Sequence, residues 1–283
     1  MTRTMTVFTH GRPEETSVAL GRVIEAAAEA GVTLRMDEEE TRKHGLSAAG
    51  GLEVNAEVLD GVELCLVLGG DGTILRALQR YAGTEVPVFA INFGEIGFLA
   101  TVEPQDIQAG IARALNGDFE LLRLPAIELQ RPRGGGPLAI NDVAIHRKVG
   151  ERVAEIAYAL EGEILGSVRC DGLVIATPAG STGYNLANGG PVMAWGVEGF
   201  VVSFIAPHSM TARALVAAPR DRLTIHNRSR EPLEVAVDGR SVDQIDPGGT
   251  IDARFRNGVG TIAQVPGSSF YRRLHEKFGG LAS

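Results

Sequence analysis

The sequence predicts an α/β domain on a parallel sheet, followed by a β-rich, sandwich-like domain. Three observations carry this. Strand-like and helix-like patterns alternate over the first hundred residues, which implies parallel strands joined by right-handed crossovers. After Phe98 the pattern changes to one short helix and then many short strand-like runs separated by turn residues. Within the first regime the apolar run Val62 to Leu68 leads into Gly69-Gly70-Asp71-Gly72-Thr73 and then a helical pattern. A buried strand, a glycine turn and a helix start are the parts with which open α/β sheets bind phosphates.

In order, Thr4 to Thr9 reads as a strand. Glu14 to Ala30 reads as a helix with apolar Val18, Val23, Ile24, Ala27 and Ala30 at roughly helical spacing, closed by Gly31. Val32 to Met36 is a second strand. Asp37 to Gly51 reads as a charged surface loop, with Asp37-Glu38-Glu39-Glu40 a solvated face. Leu64 to Leu68 is a third strand, Ile74 to Tyr81 the helix after it, and Val86 to Asn92 a fourth strand. A short helix follows over Pro104 to Asn116. Strands are then expected at Ala126 to Arg131, Leu138 to His146, Ala154 to Glu161, Ile164 to Cys170, Leu173 to Thr177, Gly199 to Ala206, Leu223 to Asn227, Leu233 to Val237 and Thr250 to Phe255. Gly134-Gly135-Gly136-Pro137, Glu161-Gly162-Glu163, Asp238-Gly239 and Asp246-Pro247-Gly248-Gly249 supply turns. Ser269 to Phe278 reads as a final helix with Phe270, Leu274 and Phe278 on one face. The expected division is residues 1–98, 99–265, and a helix over 266–283 that returns to the first domain.

Composition narrows the function. A chain of 283 residues buries a sizeable core. A net charge of -8 and 5% aromatics argue against nucleic-acid binding, which needs a basic footprint. Only Lys43, Lys148 and Lys277 are lysines, so arginine dominates the cations. No apolar stretch of membrane-spanning length and no signal-peptide core occur, so a cytoplasmic protein is expected. Cys65 and Cys170 lie in or beside apolar strand-like runs and read as core thiols of a reducing compartment; no metal-ligand spacing appears.

The loop at 69–73 carries a carboxylate where a Walker A loop carries lysine, and it lacks the third glycine of a dinucleotide fingerprint. Asp71 repels phosphate: two negative groups about 4 Å apart cost roughly 4 kcal/mol at an effective dielectric near 20. It therefore needs a compensating job, either taking a proton from an attacking hydroxyl or sharing Mg²⁺ with the phosphates. Both mean phosphoryl transfer. The bland reading is a turn in which Asp71 only bonds nearby amides. A second segment, Asp171 to Pro191, ends a strand at Thr177 and continues as a loop dense in hydroxyls and glycines around Ser181-Thr182-Gly183-Tyr184-Asn185. Such a loop offers amides and hydroxyls to a sugar, base or phosphate; its bland reading is a capped turn. Asn141-Asp142 is either a ribose or purine fork or an ordinary turn pair.

Together, Gly69-Gly70-Asp71-Gly72-Thr73, Asn92-Phe93-Gly94-Glu95-Ile96-Gly97-Phe98-Leu99, Asn141-Asp142, the Thr177 to Pro191 loop and Pro207-His208-Ser209 resemble the NAD kinase family, in that order and over nearly the whole chain. The resemblance implies a Rossmann-like α/β domain and a β-rich domain. It implies transfer of the γ-phosphate of ATP to the 2′-hydroxyl of the adenosine ribose of NAD, with Mg²⁺ or another divalent cation, in a homodimer or homotetramer. It places Asp71 as the base, with Gly69, Gly70, Gly72, Thr73 and Arg76 at nucleotide-contact positions. Asn141 and Asp142 fall on a family Asn-Glu pair that contacts the adenosine side, aspartate here standing for glutamate. Ala179, Thr182, Gly183, Tyr184, Asn185, Leu186 and Ala187 line the NAD pocket, Gly183 where alanine is common. Arg169 and Asp171 match positions near the nicotinamide end, and Arg152 one contributed across a subunit interface. Ala206 and Arg240 complete the expected contacts. A lipid kinase sharing the Gly-Gly-Asp-Gly loop and a non-catalytic nucleotide sensor are the rival readings.

Overall fold

The structure, a computed structural model, describes residues 3–94, 97–100, 102–130 and 135–279. Glu95 and Ile96 of the expected motif, Arg131 at the end of an expected strand and Gly134 of an expected turn lie outside the described residues. The chain forms two compact units, Met1–Arg123 with Gly260–Ser283, and Leu124–Val259.

In the first unit, β1 (Thr4–Thr9), α1 (Ser17–Glu29), β2 (Thr33–Arg35), α2 (Glu38–His44), β3 (Leu52–Glu53), β4 (Leu64–Leu68), α3 (Asp71–Arg80), β5 (Val88–Ile91) and α4 (Ile107–Asn116) follow one another. The strands pair in parallel in the order β5-β4-β1-β2-β3. Every residue of β4 is buried, as the unbroken run Leu64-Cys65-Leu66-Val67-Leu68 demands of a strand covered on both faces. The chain leaves β1 toward β2 on one side, while β4 lies on the other. The carboxyl ends of β1 and β4 therefore flank a topological switch point, where open α/β sheets place their ligands.

Three expectations are corrected here. The segment after Asp37 is a helix, not a loop. Asp37 Oδ1 accepts the Glu40 amide at 2.8 Å, the first turn is acidic, the last is basic, and Gly45 ends it at φ 60°. Glu40 is not solvated but 1% exposed. In α1 the buried face is Ala19, Leu20, Val23 and Ala27, which leaves Val18 73% exposed. The first unit also extends past residue 98. Ile107, Ile111, Ala114 and Leu115 of α4 join the core of Leu20, Leu66 and Phe89, so the helix after Phe98 belongs with the first sheet.

In the second unit, β6 (Glu120–Gln130), β7 (Leu138–Ala139), β8 (Asp142–Arg147), β9 (Ala154–Leu160), β10 (Glu163–Cys170), β11 (Gly172–Ala176), the short α5 (Tyr184–Ala187), β12 (Phe200–Ile205), β13 (Leu215–Ala217), β14 (Arg222–Asn227), β15 (Leu233–Val237), β16 (Arg240–Ile245) and β17 (Thr250–Gln264) are mostly strands. One antiparallel sheet runs β13-β12-β11-β8-β15-β16; another joins β10, β9, β14 and the first half of β17. Val143, Ile145, Leu173, Ile175 and Val202 of the first pack with Ile156, Leu223 and Ile225 of the second in one core. The expected strand Leu138 to His146 is broken at Ile140-Asn141, because the Asp238 carboxylate takes amides there. β17 is longer than expected, and its Ile262 and Ala263 pair with β5 of the first unit's sheet. The chain ends in α6 (Phe270–Phe278), whose Phe270 and Phe278 rings each lie 6.0 Å from Phe98.

Candidate active site

In the first unit, β4 delivers Gly69-Gly70 to the amino end of α3, and Asp71 is the first helical residue. Its carboxylate is held by a segment nearly thirty residues on: Oδ2 accepts the Phe98 amide at 2.9 Å and Oδ1 the Leu99 amide at 3.1 Å. Two of the expected motifs thus meet, one supplying the carboxylate and the other its cradle. Gly97 makes the approach possible. A Cβ there would stand 2.7 Å from Asp71 Oδ2 and closer still to Oδ1. Phe98, whose amide binds Asp71, carries the rings of α6 and lies 5.0 Å beneath Lys277 Nζ. Arg273 of α6 donates to the Gly97 carbonyl at 3.3 Å. Burial lowers its basicity, against the opposing pull of Glu103, Asp71 and Glu276. The sequence reading missed Arg273; no local signal ties a residue of the last helix to a loop after β4.

Arg76, expected at a nucleotide contact, is committed within the protein. Its guanidinium donates to Glu39 Oε1 at 2.7 Å, Glu40 Oε1 at 2.8 Å and the Thr9 carbonyl at 3.3 Å.

In the second unit, the Asp238 carboxylate accepts the amides of Ile140, Asn141 and Asp142 at 2.8–3.0 Å. Asp238 sits at φ 46°, a left-handed turn position that aspartate tolerates. Its charge and the burial of Asp142 push the Asp142 carboxyl up to about 7, burial being the larger cause. Asn141 Oδ1 is buried without a hydrogen-bond partner among the described residues, an acceptor left for something outside the protein. The next loop is tied to the same place. Thr177 Oγ1 donates to the Ile140 carbonyl at 2.6 Å and accepts the Gly180 amide at 3.1 Å. A Cβ on Gly180 would come 2.7 Å from the Asn141 Cα, so only glycine permits this crossing. Ser181 and Asn185 are fully buried and brace the loop: Ser181 Oγ accepts the Met193 amide, and Asn185 Nδ2 donates to the Ser181 and Pro191 carbonyls. Tyr184, by contrast, is 42% exposed, and burial followed by Asp142 and Asp171 raises its phenol above the ordinary value. Thr182, Gly183, Leu186 and Ala187 lie on this same turn; Ala179 is buried beneath it. Arg240, at the start of β16, is exposed.

Arg147 Nε donates to Asp171 Oδ1 at 2.6 Å and holds that carboxyl below the usual range. Arg147, Arg152 and Arg169 line a cavity of about 620 Å³ together with Arg228 and Arg230, balanced in part by Glu151, Glu155 and Glu231. Arg228 and Arg230 were not legible as site residues, because their turn carries no motif. Ala206 follows β12 at φ 44°, strained for a residue with a Cβ.

The sequence matches the ATP-NAD kinase N-terminal domain over residues 14–119 and the ATP-NAD kinase C-terminal domain over residues 140–259. This chain belongs to the NAD kinase family. An NAD kinase of Rhodopirellula baltica is 34% identical over 223 residues, 77% of this chain and 72% of that protein. NAD kinase 2 of Streptomyces coelicolor is 32% identical over 98% of this chain and 94% of its own. Two solved structures share the fold. Yeast NADH kinase complexed with NADH superposes with a TM-score of 0.87 at 21% identity, covering 100% of this chain and 89% of its own. An NAD kinase from Archaeoglobus fulgidus in complex with ATP gives 0.71 at 24%, covering 100% and 99%. The α/β and β-rich units are those of this family, and its reaction is phosphoryl transfer from ATP to NAD to give NADP. The lipid-kinase reading finds no support.

Asp142 makes a prediction of its own. The folded protein keeps its proton up to about pH 7, whereas an unfolded chain releases it near the ordinary carboxyl value of 3.8. Between those values the folded state binds more protons, so this group's contribution to stability falls as pH rises. Asp142→Asn should therefore gain on the wild type in urea unfolding between pH 4 and pH 7, by about 1 kcal/mol or more, with the difference level above that window. A difference that stays constant across the window would show that Asp142 titrates normally.

Proposed function

We propose that the chain catalyses transfer of the γ-phosphate of ATP to the 2′-hydroxyl of the adenosine ribose of NAD, with Asp71 accepting the hydroxyl proton. The observation that carries this reading is the Asp71 carboxylate fixed by the Phe98 and Leu99 amides at the end of β4. Each oxygen accepts one amide and keeps a second lone pair for an incoming hydroxyl. Phosphoryl transfer consists mainly of positioning and charge stabilisation, and a carboxylate with a fixed bearing meets the first need. The amides of Gly70 and Gly72 are the loop's donors to phosphate oxygens; the Gly69 amide is taken by the Ile91 carbonyl at 3.0 Å and the Thr73 amide by the Gly70 carbonyl at 2.9 Å, so those two residues shape the loop. Asn141 through its free Oδ1, Asp142 as a proton-bearing donor, and the face of Tyr184 hold the dinucleotide, with Ala179, Thr182, Gly183, Asn185, Leu186 and Ala187 shaping the turn. Arg169, Asp171, Ala206 and Arg240 are proposed further contacts. Arg152, an exposed lining residue of the arginine-rich cavity, fits a residue given to a neighbouring subunit of a homo-oligomer.

No cluster of three metal-ligating side chains occurs among the described residues. A single carboxylate fits Mg²⁺ that is held mostly by triphosphate oxygens and waters, and Asp71 is the residue proposed to touch it. Such an ion neutralises charge on the transferring phosphoryl group. No helix among the described residues is long and apolar enough to cross a membrane. With Cys65 and Cys170 buried as free thiols, this supports work in a reducing cytoplasm.

Purified protein should form NADP from ATP, Mg²⁺ and NAD, lose that activity to a chelator and recover it with Mg²⁺, and leave diacylglycerol unphosphorylated. NAD binding without turnover would replace the kinase by a sensor.

A further inference from the structure

We propose that Glu40 is a positioning residue for phosphoryl transfer, fixing the Gly69–Thr73 loop through Thr9 on one side and Arg76 on the other. The proposal rests on the reading of Asp71 as base. Glu40 is 1% exposed, and its carboxylate accepts from four donors on three elements. These are the Thr9 amide at 3.2 Å, Thr9 Oγ1 at 2.7 Å, Lys43 Nζ at 2.7 Å and Arg76 Nη2 at 2.8 Å. Lys43 and Arg76 also donate to the Thr9 carbonyl, at 3.0 and 3.3 Å. Thr9 is the last residue of β1 and stands beside Leu68 of β4, and the His10 amide closes on the Leu68 carbonyl at 2.8 Å. The three residues that follow β4 are Gly69, Gly70 and Asp71. Arg76 follows Asp71 on α3 by five residues, about 1.4 turns. Glu40 thus ties the strand beside the loop to the helix that leaves it.

Helix α3 is consequently held at two points, its first residue by the Phe98 and Leu99 amides and its middle by Glu40. Charge-assisted hydrogen bonds set direction as well as distance. Replacing a buried ion pair by apolar side chains of similar volume is often neutral for stability, so the role proposed for this cluster is to fix geometry. Displacements of about 1 Å at a reacting group cost on the order of 10²-fold in rate. The guanidinium of Arg76 also lies 5.4 Å over the Phe8 ring, which fixes its approach to Glu40.

The test uses the full chain and the variants Glu40→Gln, Arg76→Gln and the double variant, read by NADP formation and by amide exchange of the segment Gly69–Thr73. Each single variant should lower kcat by about tenfold with the KM for NAD within about twofold, and should speed exchange in that segment by about tenfold. The double variant should be no worse than the worse single, because both break one linkage. Arg76→Lys should recover most of the kcat lost in Arg76→Gln. If Glu40→Gln folds poorly, Arg76→Gln and Thr9→Val decide by the same readouts. A kcat near that of the wild type, unchanged exchange at 69–73, or additive losses in the double variant overturns the proposal. A loss confined to the KM for ATP in Arg76→Gln makes Arg76 a nucleotide ligand and also overturns it. A wild-type protein that forms no NADP defeats the kinase reading instead, and the exchange measurements still decide the role of Glu40.

Discussion

Asp71→Asn lowers kcat by about 10²-fold or more while the affinity for NAD changes only a few-fold. The substitution keeps the volume of the side chain and removes two properties. Asparagine accepts no proton from a ribose hydroxyl near neutral pH. It also replaces one carboxylate oxygen with an NH₂ group, and both positions now face amide donors, Phe98 at 2.9 Å and Leu99 at 3.1 Å. One of these bonds becomes a donor–donor contact, so the side chain rotates or the 98–99 segment shifts. The residues proposed to hold NAD, Asn141, Asp142 and Tyr184 among them, are unaltered by the substitution, so binding is expected to survive. Steady-state kinetics with NAD titrated calorimetrically in parallel separates the two quantities. A kcat equal to that of the wild type would remove Asp71 from the chemistry.

Gly97→Ala should be nearly as damaging to turnover, although its side chain takes no part in the reaction. The added methyl would lie 2.7 Å from Asp71 Oδ2, with Oδ1 nearer still. Carbon and oxygen do not tolerate that distance, and the cheapest escape is rotation of the Asp71 carboxylate away from the Phe98 and Leu99 amides. Loss of a fixed bearing at a reacting group costs about 10²-fold in kcat. The global fold loses less, because Gly97 lies in a loop and Phe98 keeps its contacts with α6. The expected result is a kcat fall of about 10²-fold with an unfolding midpoint in urea close to that of the wild type. A variant with normal turnover would show that the amide cradle is dispensable to Asp71.

The strand–turn–helix at 64–80 was legible because its signals are local: an apolar run, glycines, and an amphipathic helix whose Ile74, Ala77 and Leu78 face the core. Most antiparallel strands of the second unit were legible from their alternation and turns; β13 and the largely exposed, polar β16 were not. Glu40 was misread because Asp37-Glu38-Glu39-Glu40 looks like a solvated run. Its burial follows from Thr9, Lys43 and Arg76 converging on it, and two of those partners lie more than 30 residues away. The acid-first, base-last order of α2 was nonetheless present in the sequence as a helix signal. Asp238 shows the same limit. Asp238-Gly239 reads as a turn, and it is one, but its carboxylate also organises Ile140, Asn141 and Asp142 almost a hundred positions earlier.

The sequence by itself determined the two-domain class, the glycine loop with a carboxylate in place of a lysine, and the family to which these belong, because each is written in neighbouring residues. Only the tertiary structure decided which groups hold that carboxylate, that Arg76 is engaged by Glu39 and Glu40, and that Asp142 carries its proton to near pH 7. Those outcomes depend on desolvation and on charges brought within a few ångströms by folding, and neither quantity exists until the chain has closed around them.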